Sequence, residues 1–266
     1  MLAPTILIFD SGLGGLTVHR EVAAARPDLM LIYAADDEAF PYGPMEESKL
    51  VTRVLTVVGA LIAQHKPNLA VIACNTASTI ALTQLRNRFP LPFVGTVPAI
   101  KPACVATSSK RVSVLGTEAT VKREYTRALI SQFSNGCDVT LVGSARLAGF
   151  AEAELRGRPV EDWVIAEEIA PCFIDGKGRR TDTVVLACTH YPLLQHRFEQ
   201  TQVWPVTYLD PAPAIARRVD QLLGPARGVE GRPAARMVTT LGQKPPAELE
   251  KALFSFGISE FGGISV

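Results

Sequence analysis

Eight short apolar runs, at residues 5–9, 29–34, 69–73, 111–115, 139–142, 183–187, 206–209 and 236–240, alternate along this chain with segments of helical periodicity. Strands that are apolar throughout and separated by helices define parallel sheets covered on both faces, which excludes hairpin-built folds. One intervening segment shows the helical stripe plainly. Leu50, Val51, Val54, Leu55, Val58, Leu61 and Ile62 recur at three- and four-residue spacing, which predicts a core-facing helix starting near Glu46.

The pattern also restarts. Ile6-Leu7-Ile8-Phe9-Asp10-Ser11-Gly12 resembles Val112-Ser113-Val114-Leu115-Gly116-Thr117 about a hundred residues later, and two cysteine motifs lie at a similar offset. Two prolines interrupt the periodicity in Thr96-Val97-Pro98-Ala99-Ile100-Lys101-Pro102, a natural break. The expected architecture is α/β, with two pseudo-symmetric lobes spanning 1–97 plus 208–266 and 98–207. Each lobe is a mostly parallel sheet flanked by helices, and the active site is expected in the cleft between them. A chain of 266 residues suits two such cores.

Charge excludes one class of partner. Lys plus Arg number 27 against 26 Asp plus Glu, and no run of one sign could track a phosphate backbone, so nucleic acid is not expected. The most basic cluster, Gly176-Lys177-Gly178-Arg179-Arg180, reads as a solvated turn. Asp10 arrives too early for a signal-peptide apolar region, and no apolar run approaches the ~18 residues of a membrane span. A cytoplasmic address with no membrane partner is the expectation. Five cysteines then read as thiols in a reducing compartment.

In open parallel sheets ligands gather beyond the carboxyl ends of the strands, and Asp10, Asp36, Cys74, Thr117, Cys188 and Asp210 all fall there. After Cys74, the segment Asn75-Thr76-Ala77-Ser78 offers amides and hydroxyls at a helix start, a cradle for a carboxylate. Thr189 and His190 are expected to do the same after Cys188. Taken singly, a cysteine at a strand end reads as a small buried hydrophobe, and Cys104, Cys137 and Cys172 stay unassigned on that reading. Packing gives no reason for Cys74 and Cys188 both to be followed by polar residues. Cys188 and His190 could instead be metal ligands, but a zinc site needs three or four and the ligand spacings are missing, so no metal is expected.

The turn Asp10-Ser11-Gly12-Leu13-Gly14-Gly15-Leu16-Thr17 is an imperfect dinucleotide fingerprint, with Asp36 placed as a ribose-binding acid would be. Thr17 occupies the third glycine position, and Asp10 would set a negative charge near a pyrophosphate. A tight strand-to-helix turn fits better, and Asp10 suits a substrate with an ammonium group. Two thiols on opposite faces of one carbon could remove a proton from one side and deliver one from the other, exchanging roles in reverse. No redox or electrophilic cofactor is then obligatory. The base must be thiolate, which helix N-termini and cations favour from a starting pKa of ~8.5, and each cysteine is expected to precede a helix.

Phe9-Asp10-Ser11-Gly12-Leu13-Gly14-Gly15-Leu16-Thr17-Val18, Phe40-Pro41-Tyr42-Gly43, Cys74-Asn75-Thr76-Ala77-Ser78 and Cys188-Thr189-His190-Tyr191-Pro192-Leu193 closely resemble the glutamate racemase family, cofactor-independent enzymes of the aspartate/glutamate racemase superfamily. The motifs occur in the family's order from about Ile6 to Asp210, and the resemblance weakens over about the final fifty residues. The resemblance implies that Cys74 works on the D-enantiomer and Cys188 on the L-enantiomer. It implies substrate contacts at Asp10, Ser11, Pro41, Tyr42, Gly43, Asn75, Thr76, Thr117, Thr189 and His190, and auxiliary acid or base roles for Asp10, Glu152 and His190. Glu152 is placed by spacing, because many relatives carry a Cys-Pro pair where this chain reads Ser144-Ala145-Arg146. The same resemblance implies D-glutamate supply for bacterial peptidoglycan, with dimers common among relatives. Three other readings stay open: a racemase of aspartate or another acidic amino acid, a nonenzymatic amino-acid sensor, and a dinucleotide-dependent oxidoreductase.

Overall fold

A computed structural model describes residues 3–176, 178–226 and 234–264, so that Lys177 of the basic turn lies outside the described residues. The chain divides into two compact units, Met1–Thr96 with Leu155–Gly157 and Ala212–Val266, and Val97–Glu154 with Arg158–Pro211. The first unit opens with β1 (Thr5–Asp10), α1 (Leu16–Ala25), β2 (Met30–Ala35), α2 (Glu47–His65), β3 (Leu69–Ile72), α3 (Asn75–Arg88) and β4 (Phe93–Gly95). There follow α4 (Ile100–Ala106), β5 (Arg111–Thr117), α5 (Glu118–Lys122), α6 (Glu124–Phe133), β6 (Asp138–Ser144), α7 (Leu147–Leu155) and α8 (Asp162–Ile169). A short hairpin, β7 (Asp175–Gly176) and β8 (Arg179–Arg180), precedes β9 (Thr183–Ala187), α9 (Gln195–Thr201) and β10 (Thr207–Leu209). The chain then returns to the first unit with α10 (Ala212–Leu223), β11 (Ala235–Thr239), α11 (Ala247–Ser255) and β12 (Ile258–Gly263).

The first unit holds a six-stranded sheet in the order β12-β11-β2-β1-β3-β4, and the second a four-stranded sheet in the order β10-β9-β5-β6. Every pairing in both is parallel. The restart seen in the sequence has a topological counterpart: β2-β1-β3-β4 and β6-β5-β9-β10 follow the same order, and each cysteine motif follows the same strand of its set.

The sheets lie between helices because their strands are apolar on both faces. In β1, Ile6 and Ile8 pack with α1, α10 and α11, whereas Leu7 and Phe9 pack with α2 and α3. Of the stripe predicted for α2, Leu50, Val54, Val58 and Leu61 are buried, each worth ~1.5–3 kcal/mol, whereas Val51, Leu55 and Ile62 are half-buried and Val57 is a further buried residue.

Two details differ from expectation. The change of unit falls after Pro211 and not at 207/208, because β10 adds to the second sheet, pairing Leu209 with Val185. Leu155–Gly157 belongs to the first unit, where Leu155 packs on the core and Gly157 faces Glu248. The sequence also gave no sign of β4, three residues set among Pro90, Pro92 and Pro98, or of β12, a largely exposed outer strand rich in glycine. Among the described residues no helix is long and apolar enough to cross a membrane, and no three His, Cys, Asp or Glu side chains gather as metal ligands would.

Candidate active site

Cys74 lies two residues beyond Ile72, whose strand neighbours are Phe9 of β1 and Gly95 of β4. It is the N-cap of α3, and its buried sulfur accepts the Ala77 N–H at 3.5 Å. That N–H and the positive end of the helix favour negative charge on the sulfur. The Cys74 thiol donates to Ser11 Oγ at 3.7 Å, and Ser11 Oγ donates to Asp10 Oδ1 at 3.2 Å. The same carboxylate oxygen accepts the Gly12 N–H at 3.1 Å. The glycine-rich turn makes this close approach feasible. A Cβ on Gly15 would stand 3.0 Å from Asp10 Oδ2 and from the Ala73 Cβ, so the start of α1 can seat against the two strand ends only without a side chain there.

Asn75 adds a feature of another kind. Its side chain is buried, yet neither its oxygen nor its nitrogen has a hydrogen-bond partner among the described residues. Thr96, one residue past β4, has a buried hydroxyl in the same condition. A buried amide left unpaired costs ~1–3 kcal/mol per group, a cost that a polar ligand would remove. Thr76 is buried beside it at the start of α3.

Tyr42 is buried, and its hydroxyl donates to Asp36 Oδ2 at 2.5 Å. Burial first, and then the Asp36 charge, push that phenol far above its ordinary range, so it stays protonated. The phenol is therefore committed to Asp36. Pro41 is exposed, its peptide bond with Phe40 is cis, and a Cβ on Gly43 would meet nothing within 4 Å. Asp36 is fully buried and bound to Arg53, Thr240 and Tyr42. That commitment removes it as a ribose-binding acid, and with it the second half of the dinucleotide fingerprint.

Cys188 follows β9, whose Ala187 pairs with Gly116 of β5, so that Thr117 ends its strand alongside. The helix start expected here is absent. Pro192 sits in a 3-10 turn over Tyr191–Leu194, and α9 begins only at Gln195. The positive partner of this sulfur is instead a side chain. His190 Nδ1 lies 3.8 Å from Cys188 Sγ, and its Nε2 lies 3.1 Å from Glu152 Oε1, with all three residues buried. Burial opposes charge on the ring, but hydrogen bonds to Cys188 and Glu152, and the negative charge on both, hold the imidazole well above its ordinary value. Thr117 caps α5, its Oγ1 accepting the Thr120 N–H at 3.2 Å, and Thr189 is buried next to the sulfur in sequence.

The sequence-predicted residues thus sort by unit: Asp10, Ser11, Pro41, Tyr42, Gly43, Cys74, Asn75 and Thr76 in the first, Thr117, Glu152, Cys188, Thr189 and His190 in the second. The other cysteines are buried free thiols, Cys137 donating to the Cys104 carbonyl at 3.5 Å. Sequence reasoning missed the residues that hold Glu152 in place. Ser144 Oγ accepts the Leu147 N–H at 3.0 Å and so caps α7, the helix that carries Glu152. Arg197 ties Glu154 of that helix, at 2.8 Å, to Asp162. A serine three residues ahead of a helical stripe is a readable capping signal. The Arg197 link spans 43 residues and leaves no local trace.

Two parallel-sheet units, each with a buried thiol at one strand end, are the arrangement of an α/β amino-acid racemase, and relatives and solved structures place the chain in that class. The chain belongs to the Asp/Glu/hydantoin racemase family, whose model matches residues 17–219. It is 56% identical over 226 residues to the glutamate racemase of Brucella anthropi, covering 85% of this chain and 81% of that protein. With the glutamate racemase of Brucella canis it shares 50% identity over 256 residues, 95% of this chain and 92% of that one. Among solved structures it is similar to Escherichia coli glutamate racemase in complex with L-glutamate and the activator UDP-MurNAc-Ala, with a TM-score of 0.90 and 40% identity over 99% of this chain and 98% of that one. The segment in which the motifs weaken thus lies inside the shared fold.

Proposed function

We propose that the chain interconverts L-glutamate and D-glutamate by two-base thiol chemistry, in the cytoplasm and with no cofactor required, and supplies D-glutamate for peptidoglycan. One observation carries the mechanism: each unit holds a buried thiol whose hydrogen-bond chain ends on a carboxylate. The chain runs Cys74–Ser11–Asp10 in one unit and Cys188–His190–Glu152 in the other. Starting from L-glutamate, the Cys188 thiolate takes the α-proton and becomes a thiol. The electron pair stays on the α-carbon, shared with the adjacent carboxyl group, until the Cys74 thiol gives its proton to the opposite face and becomes thiolate. From D-glutamate the roles reverse. Asp10 is suited to the substrate ammonium group, and the unpaired Asn75 amide to a carboxylate. The glutamate preference is supported by the names of the relatives, and the peptidoglycan role by the activator in the Escherichia coli complex.

The test is turnover without added cofactor on both enantiomers of glutamate and of aspartate, followed by optical rotation. Glutamate is expected to racemise with kcat/KM at least ~10²-fold above aspartate, since side-chain carboxylate donors placed for one length leave the shorter acid unpaired. Preferred turnover of aspartate, or none of either acid by folded, reduced protein, would overturn the reading.

A further inference from the structure

We infer that Arg53 is a positioning residue of this enzyme. Through Asp36 and the Tyr42 hydroxyl it fixes the Tyr42-Gly43 main chain beside Cys74, so that this segment meets substrate through its peptide N–H groups and not through the phenol. The inference rests on the glutamate reading of the site and extends it to a residue of α2 that the sequence motifs do not reach.

Asp36 is the centre of the device. Arg53 reaches it twice, Nε at 2.9 Å from Oδ2 and Nη2 at 2.6 Å from Oδ1. Thr240, just past β11, donates to Oδ1 at 2.9 Å, and the Tyr42 hydroxyl takes the remaining place on Oδ2. An ionised carboxylate offers about four lone-pair sites, and these donors occupy them all. Asp36 has no acceptor left for a ligand, and the Tyr42 hydroxyl no proton left to give one. Arg53 is a quarter exposed and braced by Glu38 at 2.7 Å, so the guanidinium links a surface carboxylate to a buried one.

What this linkage holds is a turn in which Met45 N–H donates to the Tyr42 carbonyl at 3.1 Å. The N–H groups of Tyr42 and Gly43 have no partner among the described residues, and the space beside Gly43 is open. Tyr42 packs against Phe9 at 6.5 Å between ring centroids, in the buried cluster that also holds Cys74, and its phenol lies within range of the Cys74 charge, so the turn is anchored on the side of the first thiol. Removing Arg53 leaves the buried Asp36 charge without its counter-ion, a change that lets the carboxylate shift and carry the Tyr42 hydroxyl and the turn with it.

Arg53→Ala, Arg53→Lys, Tyr42→Phe and the double variant Arg53→Ala/Tyr42→Phe test this, each compared with wild type by circular dichroism for fold. Arg53→Ala and Tyr42→Phe are expected to raise KM for glutamate about tenfold each with kcat within about threefold, the scale of one charge-assisted hydrogen bond. Because both break one chain, the double variant should match the worse single variant instead of multiplying the effects, and Arg53→Lys should recover part of the loss. A merely structural role would lower the fraction of active protein and leave KM unchanged, and that result would overturn the inference. So would multiplicative effects.

A second measurement needs no substrate. Amide exchange at Met45 should quicken by a similar factor in Arg53→Ala and Tyr42→Phe, and unchanged exchange in both would overturn the positioning role whatever the enzyme turns over. If wild type fails on glutamate while Met45 exchange responds, the substrate reading fails and the linkage of Arg53 to the turn stands.

Discussion

Cys74→Ala and Cys188→Ala should each lower racemisation by about 10⁴-fold or more, the upper range for a positioned acid–base group, because in the proposed mechanism each thiol exchanges the α-proton on its own face. Either change removes one buried sulfur and is expected to cost stability of only about 1 kcal/mol, so melting temperature should barely move. Serine is no substitute, since its hydroxyl does not ionise near neutral pH. Free-thiol counting and melting curves must show folded protein before the kinetics are read. Racemisation at the wild-type rate by either alanine variant would remove the two-thiol mechanism.

The second large effect belongs to His190. Its imidazole bridges Cys188 and Glu152, whereas Cys74 has a hydroxyl and a helix N-terminus in the equivalent place. His190→Asn should therefore raise the barrier for proton transfer at Cys188 and leave the step at Cys74 unchanged, lowering kcat/KM by about 10²-fold. The two enantiomers have equal free energy, so this loss must be equal in both directions. The asymmetry shows in isotope effects instead. With transfer at Cys188 rate-limiting, α-deuterated L-glutamate should react with a full primary effect and α-deuterated D-glutamate with almost none. Equal effects from the two substrates would contradict the assignment of Cys188 to the L-enantiomer.

His190 also predicts how stability responds to pH. Its folded value is raised, so its contribution is complete below the free imidazole value of ~6.5 and is lost as pH rises through the folded value. The melting-temperature gap between wild type and His190→Asn should shrink over that alkaline interval.

Much of this was written locally in the chain. The parallel sheets follow from strands such as β1 and β3 that are apolar on both faces, and α2 from its stripe. The two cysteine motifs were legible because short-range polar residues follow both sulfurs. What local sequence could not carry was environment. The turn after Cys188 reads like a helix start, but Pro192 stands in a 3-10 turn and the charge support comes from His190, whose Glu152 partner is 38 residues away. Nothing near Tyr42 in sequence reveals that its hydroxyl is committed to Asp36, or that Asp36 pairs with Arg53 and Thr240, the latter 204 residues distant. The strands β4 and β12 were hidden for the converse reason: their pairing is imposed by neighbours, not by their own composition.

The most direct test of two thiols, one for each enantiomer, is the fate of the α-proton in the first turnovers of wild-type protein with D-glutamate in heavy water. The account predicts that the L-glutamate formed carries deuterium from solvent, while the D-glutamate not yet converted keeps its original proton. L-glutamate retaining the substrate proton would mean that a single base carries hydrogen from one face to the other, and the two-thiol account would be wrong.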